Sequence, residues 1–311
     1  MTTTLERRSQ HERLQRRIQI ERKSGETGKS FRRHAGRMKL EGYFVKPVLN
    51  AVLRASGLYQ RGVRNALQPA ITHVQLRFAN LPQRFDGFRI LHLSDLHIDA
   101  LPGLAERVAA ALDGVCCDVC LMTGDYRFAI EGSCLRAWSG MRTVLSSISA
   151  PHGTFAILGN HDPSEMAPAL ERLGVRMLIN ESTAVHKDSE SIWLAGVDDP
   201  YDFRCDDLAT ALEEVPPGAF KILLAHTPDL YRPAAAGGVD LYLCGHTHAG
   251  QVRLPWIGSI IQNSDAPRSH THGYWRHRDI QGYTSRGIGC SMLPVRFNCP
   301  PEIVLMELKA D

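Results

Sequence analysis

The chain has 311 residues, of which 43% are hydrophobic and 22% are charged, which is typical of a soluble globular protein with an ample core. No run of 18 or more apolar residues occurs, so the sequence excludes an ordinary transmembrane helix. The net charge of +3 is uneven, because residues 1–39 carry 12 Lys or Arg against 4 Glu, a local charge of +8, and the rest of the chain carries −5.

The cysteines and the N-terminal residues favour a cytoplasmic protein. The eight cysteines are not spaced as a disulfide framework, and several lie in apolar runs, which favours a reducing compartment. Residues 1–40 contain no uninterrupted apolar stretch of the kind that a signal peptide requires. Neither Arg16-Arg17 nor Arg32-Arg33 leads into an apolar core, so a twin-arginine export signal is not indicated.

Residues 1–79 are predicted to form a basic N-terminal extension that precedes one domain over residues 80–311. Residues 1–36 are polar and basic, and we expect a frayed helix or disorder there. Residues 38–68 differ, because apolar side chains recur at spacings of three and four between basic ones. This pattern predicts an amphipathic helix whose apolar face consists of Phe44, Val48, Val52, Ala55 and Tyr59.

From about residue 80, short apolar runs alternate with polar loops. Helices are predicted at 104–112 and 135–147, and strands at 88–93, 119–122, 155–158, 191–197, 222–225, 241–244, 282–286 and 302–307. Five of these strands end at loops that contain His, Asp or Asn. Because ligands bind beyond the carboxyl ends of strands in α/β sheets, we expect these loops to converge on one site.

The five loops carry short motifs in a fixed order. They are Asp95-Leu96-His97, Gly124-Asp125, Gly159-Asn160-His161-Asp162, His226, and Gly245-His246-Thr247-His248. Over roughly residues 85–308 the chain therefore resembles the calcineurin-like metallophosphoesterase superfamily, since all five blocks of its signature are present in register. The resemblance implies an α/β fold, a four-layer α/β/β/α sandwich of two mixed sheets, preceded here by the basic helical extension.

Carboxylate, amide and imidazole ligands suit Mn, Fe, Zn or Co rather than a thiolate site. The resemblance implies that one metal ion is bound by Asp95, His97 and His248. It implies that a second ion is bound by Asn160, His226 and His246, with Asp125 bridging the two. We expect two divalent ions, with Mn favoured, and a metal-bridging hydroxide as the nucleophile.

The resemblance also assigns roles to two residues that do not bind metal. His161 is expected to protonate the leaving oxygen or to stabilise charge on the phosphoryl group, and Asp162 to orient His161 through a hydrogen bond. The remaining histidines lack such motif context, and we interpret them as structural: His92, His152, His186, His270, His272 and His277.

Several small residues lie in or near the motifs. Gly124, Gly159 and Gly245 each precede a ligand, where a sharp exit from a strand can require unusual dihedral angles; ordinary loop glycines are the alternative. Relatives with long G-H-T-H-G-G-Q runs have Gly where Ala249 stands, a change that removes no ligand. Cys117 and Cys120 run into a predicted buried strand and are interpreted as structural.

The sequence 282–297, together with Leu-Ser-Asp-Leu-His at the first motif, resembles the bacterial phosphodiesterase branch. That branch includes membrane-associated enzymes of the UDP-2,3-diacylglucosamine pyrophosphohydrolase type, which implies a phosphodiester or pyrophosphate substrate, lipid-linked or nucleotide-linked. The basic amphipathic extension suits peripheral contact with an anionic membrane, at the cytoplasmic face of the inner membrane. Packing of residues 38–68 on the domain is the alternative.

The sequence also bears on other partners and on alternative functions. Aromatic residues are sparse in the N-terminal segment, so no nucleic acid is expected as a partner. A phosphomonoesterase and a catalytically silent metal-binding scaffold are the alternative functions, since both share the metal ligands. Four arginines are candidates for binding substrate phosphate or for ordinary ion pairs: Arg127, Arg253, Arg286 and Arg296.

Overall fold

The computed structural model describes residues 4–27, 46–259 and 263–311. The first described element is a long helix, α1 (Thr4–Thr27), so the helical alternative of the expectation for residues 1–36 is the one observed over this range, without the expected fraying. Instead of one helix over 38–68, two short helices follow, α2 (Lys46–Ala55) and α3 (Tyr59–Ala66). They are separated at Gly57, whose φ of 70° is disfavoured for other residues. Phe44, which was predicted on the same apolar face, lies outside the described residues.

The remaining elements alternate strands with short helices. The strands are β1 (Ala70–Phe78), β2 (Arg89–Leu93), β3 (Val119–Met122), β4 (Thr154–Ala156), β5 (Arg176–Met177), β6 (Glu181–Lys187), β7 (Glu190–Gly196), β8 (Lys221–Leu224), β9 (Leu241–Cys244), β10 (Arg253–Leu254), β11 (Gly258–Ser259), β12 (Gly273–His277), β13 (Ile280–Thr284) and β14 (Glu302–Ala310). The further helices are α4 (Leu104–Leu112), α5 (Leu135–Leu145), α6 (Met166–Glu171), α7 (Leu208–Leu212) and α8 (Tyr231–Ala236). None of the described helices is long and apolar enough to cross a membrane.

Two six-stranded mixed sheets form the centre of the molecule. Sheet 1 has the order β1-β14-β2-β3-β4-β5, and sheet 2 has the order β12-β13-β9-β8-β7-β6. One core lies between the sheets, and others lie between sheet 1 and α4–α6 and between sheet 2 and α7–α8. The predicted four-layer α/β/β/α sandwich is therefore confirmed.

Strand β3 shows why the central strands are apolar without alternation. Val119 and Leu121 point into the core between the sheets, whereas Cys120 and Met122 point into the core under the helices. Because both faces of such a strand are buried, every position requires an apolar side chain. The interpretation of Cys120 as a structural residue agrees with this packing, and all eight cysteines are free.

Strand β1 corrects the predicted domain boundary. It pairs in parallel with β14 over its whole length, from Ala70 with Glu302 to Phe78 with Ala310. Residues 70–78 are therefore an integral strand of sheet 1, although the predicted boundary after residue 79 assigned them to the extension. The sequence signal was weak because β1 lies at the edge of the sheet and its first five residues are at least partly exposed.

Candidate metal centre

Seven side chains with metal-ligand chemistry meet at one edge of the sandwich. They lie in the loops that follow β2, β3 and β4 of sheet 1 and β8 and β9 of sheet 2. All seven are buried: Asp95, His97, Asp125, Asn160, His226, His246 and His248. The structure thus brings together every residue that was predicted to bind metal, from segments spread over more than 150 positions of the chain.

The first ligand group consists of Asp95, His97 and His248. His248 Nε2 lies 3.4 Å from Asp95 Oδ1 and 3.2 Å from His97 Nε2. One ligand atom from each residue lies within 4.8 Å of the others, close enough to surround a single ion. Asp95 is held in place by the backbone N–H of His246 and by the hydroxyl of Ser94, at 3.0 and 2.7 Å.

The second ligand group consists of Asn160, His226 and His246. Asn160 Oδ1 lies 3.0 Å from both His226 Nε2 and His246 Nδ1, and these two nitrogens are 3.2 Å apart. The Asn160 amide is oriented by Asp202, whose Oδ2 accepts from Asn160 Nδ2 at 3.0 Å. Its oxygen therefore faces the two rings.

Asp125 lies between the two groups. Its Oδ2 is 3.5 Å from His97 Nε2 and 3.3 Å from His226 Nε2, so one carboxylate faces a ring of each group. Its Oδ1 accepts the backbone N–H of His161 at 2.8 Å. This placement is the one that a residue shared between two ions requires.

The hydrogen bonds of two histidine rings fit a cation in the cluster. His97 Nδ1 lies 2.7 Å from the carbonyl oxygen of Arg127, and His226 Nδ1 lies 2.7 Å from that of Thr123. A carbonyl only accepts, so each Nδ1 carries a proton, and Nε2 is the ring atom that can offer a lone pair to a cation in the cluster. Nitrogen and oxygen lone pairs then converge in a buried space, an arrangement that a bound cation stabilises.

The charges of the cluster lead to the same conclusion. Burial opposes a charge on Asp125, but attraction by His226 and His161 outweighs it and holds the pKa of Asp125 well below its ordinary value. Burial alone would lower the pKa of His226, yet Asp125 and Asp95 raise it to about 10. Burial raises the pKa of Asp95 and lowers that of His248. The cluster thus concentrates negative charge that a proton or a metal ion neutralises.

The backbone of the loops is strained at the ligands themselves. Five of the seven have a positive φ: Asp95 (49°), His97 (36°), Asp125 (58°), His246 (68°) and His248 (49°). Such conformations are uncommon for residues other than glycine and concentrate at functional sites. The predicted unusual dihedral is present at Gly124, with a φ of 92°. At Gly245 the constraint is space, because a Cβ would lie 2.0 Å from Ser94 Oγ.

His161 lies beside the cluster and is partly exposed. Its ring centroid is 4.8 Å from that of His97, and its Nδ1 lies 2.8 Å from the carbonyl oxygen of Phe128. Asp162 differs from the expectation that it orients this ring. Its carboxylate instead accepts the backbone N–H groups of Asp125, Tyr126 and Gly159, at 2.7 to 2.8 Å, and so joins the second loop to the third. Burial raises its pKa to about 6.

The four candidate phosphate-binding arginines separate into two kinds. Arg127 and Arg296 are buried and donate to protein carbonyls, for example to Glu131 O at 2.6 Å and to Gly287 O at 3.0 Å, so both brace loops. Arg286 is paired with Glu302 at 2.7 Å. Arg253 differs, because it lines a cavity of about 160 Å³, which it shares with Thr247, Arg268 and His272.

Sequence reasoning missed the residues that support the ligands. Asp199 and Asp202 follow β7, and the carboxyl-end rule that found the other loops would have indicated them, but they belong to no motif. Arg17 is fully buried behind the Asn160 loop, although it was assigned to a frayed segment. Its side-chain hydrogen bonds are with residues more than 140 positions away, which no local pattern reveals.

Comparison with known proteins agrees with this site. The family model for calcineurin-like phosphoesterases matches residues 88–250. The metallophosphoesterase YkuE of Bacillus subtilis is 30% identical over 285 residues, covering 88% of this chain and 97% of that protein. The phosphodiesterase YaeI of Escherichia coli is 29% identical over 245 residues, covering 76% and 87%. A bovine transmembrane protein with a metallophosphoesterase domain is 34% identical over 295 residues, covering 86% of this chain and 63% of that protein.

These matches confirm the resemblance that the five motifs indicated. The matched region contains all seven of these buried residues and ends two residues beyond the last of them, His248. The chain therefore belongs to the calcineurin-like phosphoesterase family and is a metal-dependent phosphoester hydrolase.

Proposed function

We propose that the chain hydrolyses phosphodiester or pyrophosphate bonds at a centre of two divalent metal ions, with Mn²⁺ favoured. The observation that carries the proposal is the position of Asp125, whose Oδ2 faces His97 at 3.5 Å and His226 at 3.3 Å. The first ligand group would hold one ion and the second group the other. When bound, the ions supply Lewis-acid chemistry at a phosphoryl oxygen.

His161 is the proposed proton donor to the leaving oxygen. Its Nδ1 donates to the carbonyl oxygen of Phe128 at 2.8 Å, and Nε2 is the ring atom proposed to transfer the proton. The residue is partly exposed, whereas the metal ligands are buried, so substrate can reach it from the solvent side. Asp162 acts as a positioning residue, since it ties Gly159 to Asp125 and Tyr126.

A diester or pyrophosphate is favoured over a monoester because YaeI, which is similar over most of its length, is named a phosphodiesterase. A phosphomonoesterase and a silent metal-binding scaffold make different predictions in the same assay. The protein is stripped of metal, reloaded with Mn²⁺ and offered an aryl phosphodiester and an aryl phosphomonoester, with His161→Ala as the control. Metal is counted in the same samples.

Two ions per chain and metal-dependent cleavage of the diester, reduced in His161→Ala, are the expected results. Cleavage of the monoester alone would contradict the diesterase proposal and favour the phosphatase. Two bound ions without turnover of either compound or of a nucleotide-linked pyrophosphate would favour the scaffold. A single ion per chain would contradict the dinuclear centre.

We further propose that the substrate is lipid-linked and that the protein touches an anionic membrane, at the cytoplasmic face, with an apolar rim beside the metal centre. The rim is a set of exposed apolar residues from α2, its following turn and the β10–β11 hairpin. Their exposed fractions are 62% for Val48, 57% for Val52, 41% for Leu58, 40% for Leu254, 104% for Trp256 and 69% for Ile257. Exposed apolar residues of this number and size are a mark of interaction surfaces.

The parts of the rim belong to one packed unit. On the opposite side of α2, Leu53 is buried against Leu293 and Val295, and Phe297 and Val252 pack on the same cluster. The backbone N–H of Arg253, the first residue of the hairpin, donates to Phe297 O at 2.9 Å. Both alternatives for this segment are compatible with this arrangement, because one face of α2 packs on the domain while Val48 and Val52 are exposed.

The charge around the rim favours an anionic lipid surface. The segments 46–69 and 246–259 contain no Asp or Glu; their charged residues are Lys46, Arg54, Arg61, Arg64 and Arg253. Each basic side chain near an anionic leaflet contributes about 1 kcal/mol to binding. The hairpin begins only five residues after His248. When the rim contacts a bilayer, the first ligand group therefore lies near the lipid headgroups.

The membrane proposal is tested with the double variant Trp256→Ala/Ile257→Ser. We expect it to lose cosedimentation with vesicles that contain anionic lipid, and to lose turnover of a lipid-linked pyrophosphate, while cleavage of the soluble aryl diester is unchanged. Leu135→Ser is the matched control, because Leu135 is 66% exposed on α5 and lies outside the rim. Equal vesicle binding by the double variant and the control would contradict the proposed membrane contact.

A further inference from the structure

The N-terminal helix α1 reaches the back of the metal centre through Arg17. This side chain is fully buried and forms an ion pair with Asp198. Its Nη2 donates to the backbone carbonyls of Gly159 and Asp162, the latter at 2.6 Å. The guanidinium lies over the ring of Phe203, with 3.7 Å between Cζ and the ring centroid. A planar cation with several donors suits this combination of acceptors.

The two carbonyls that Arg17 binds bracket Asn160 and His161. Asn160 is a member of the second ligand group, and His161 is the proposed proton donor. Because one guanidinium fixes both ends of this four-residue turn, the turn cannot change its shape without breaking a buried, charge-assisted hydrogen bond.

Arg17 also supports Asn160 from a second direction. Asp198, its ion-pair partner, accepts the backbone N–H of Asp199 at 2.8 Å. Asp199 in turn accepts the backbone N–H groups of Asp202 and Phe203, both at 2.8 Å. Asp202 then accepts from the Asn160 side chain at 3.0 Å. The loop that orients the Asn160 amide is thus built around the same guanidinium.

One face of α1 is seated on the domain. Leu14, one turn before Arg17, is buried, and Ile18, the residue directly after Arg17, packs against the core beneath the helices. Glu21 accepts the backbone N–H and the hydroxyl of Ser164, at 2.8 and 2.6 Å. Arg13 pairs with Glu181. These residues recur at spacings of three and four, as on one side of a helix, whereas Arg16 on the other side is exposed.

We infer that Arg17 is a positioning residue for the Asn160–His161 turn, and that docking of α1 completes the second ligand group. The inference rests on the proposed function, since it assigns Asn160 to the second ion and His161 to proton transfer. A purely stabilising role is the competing explanation. It predicts lower stability for an Arg17 variant without a selective change in the turn or in the second ion.

The test compares Arg17→Ala with Arg16→Ala in the full-length protein. For Arg17→Ala we expect turnover of the aryl diester with Mn²⁺ to fall by roughly 10- to 100-fold, the range for outer residues that orient metal ligands. One of the two ions should bind more weakly by a similar factor while the other is unchanged. Arg16→Ala should match the wild-type protein in both measurements.

Two further measurements separate positioning from stability. Amide hydrogen exchange over residues 159–162 should accelerate in Arg17→Ala more than exchange in the strands does. Added guanidinium ion should restore part of the turnover of Arg17→Ala and none of that of His161→Ala. Arg17→Lys, which keeps the charge but loses the planar set of donors, should be intermediate, and it replaces the alanine variant if that variant does not fold.

Turnover per folded molecule and binding of both ions equal to those of Arg16→Ala would overturn the inference. Equal acceleration of exchange throughout the protein would also overturn it. If the wild-type protein shows no diester turnover, the proposed function fails, but exchange over residues 159–162 and the binding of the second ion still test Arg17.

Discussion

The two ligand groups are held in place by different means. In the first group all three residues, Asp95, His97 and His248, have a positive φ, so their geometry is set by the backbone of their own loops. In the second group only His246 does, and Asn160 depends on side chains from distant segments, Asp202 and, beyond it, Arg17. We conclude that the backbone conformation of its own loops sets much of the first group, whereas Asn160 in the second group depends on side chains from distant segments. Substitutions outside the ligands should therefore affect the second group more.

The largest expected effect comes from the residue that joins the groups. Asp125→Asn removes a buried charge that faces both His97 and His226. Both ions should therefore bind more weakly, and the two groups should be affected alike. We expect diester turnover to fall on the order of 10³-fold, because the loss of one preorganised charge at a reacting centre has effects of this size. Asp113→Asn, at an exposed helix end, is the control. Loss of only one ion would show that Asp125 is not shared.

The next effect concerns His92, which supports the second group through Thr123. His92 Nε2 lies 2.9 Å from Thr123 Oγ1, and Thr123 O accepts from His226 Nδ1. Burial lowers the pKa of His92 to about 4 from 6.5. Between these values the unfolded chain binds a proton that the folded protein does not, so the free energy of unfolding falls as the pH decreases from 6.5 to 4. The total loss is about 3 kcal/mol, at roughly 1.4 kcal/mol per pH unit.

His92→Gln should remove this slope while keeping a hydrogen-bond partner for Thr123. Urea unfolding at pH 7.5, 6 and 5, at one fixed metal concentration, gives the difference between the two proteins as a function of pH. The difference should shift in favour of the variant as the pH falls. His186→Gln, at an exposed position, should follow the wild-type curve. Parallel curves for wild type and His92→Gln would refute the assignment.

A smaller and more selective effect is expected from Asp202→Ala. This variant leaves the Asn160 amide without its carboxylate acceptor, which lies at 3.0 Å in the wild-type protein. The second ion should bind roughly 10- to 100-fold more weakly and the first ion should be unaffected. Titration of metal-stripped protein with Mn²⁺, followed by electron paramagnetic resonance, resolves the two events. Asp206→Ala in the same loop is the matched control. If Asp202→Ala weakens the binding of both ions equally, the proposed difference between the two groups is contradicted.

The smallest effect concerns the first group. Ala249 directly follows His248 and has φ 49° and ψ 25°, a conformation that costs a non-glycine residue about 1–2 kcal/mol. Glycine removes that cost but loses more entropy on folding, so Ala249→Gly should stabilise the protein by only about 0.5–1 kcal/mol. Ala110→Gly, in the exposed interior of α4, should instead destabilise it by about 1 kcal/mol. Thermal unfolding measures both, and a lower midpoint for Ala249→Gly would contradict the strain argument.

The sequence predicted the parts of the molecule whose signal is local. The loops that carry the predicted metal ligands each follow a buried apolar run, and the bounds of α4, β3 and β9 coincide with the predicted ones. The apolar face of the extension was assigned to the wrong side of α2, since Leu49 and Leu53 pack while Val48 and Val52 are exposed. The spacing of apolar residues indicates that a helix has an apolar face. It does not indicate which of two apolar faces packs on the domain.

Long-range contacts were beyond the reach of sequence patterns. In the sequence, Arg17 is one of many basic residues in a polar segment. Its ion-pair partner Asp198 lies 181 positions away and comes near it only in the folded protein. The contacts of Asp162 with backbone N–H groups were missed for the same reason, because a motif specifies that an acidic residue is needed but not what it binds.

The pairing of β1 with β14 has a consequence for biosynthesis. The two strands are about 230 positions apart, and β14 also lies between β1 and β2, the strand that leads to Asp95. During translation, β1 and β2 therefore each have an unpaired edge until residues 302–310 have been synthesised. Contacts of such long sequence separation form slowly, and open edges attract chaperones or other nascent chains. A ribosome that stalls late on this message would hold a nearly complete enzyme in which the sheet behind Asp95 is still unfinished.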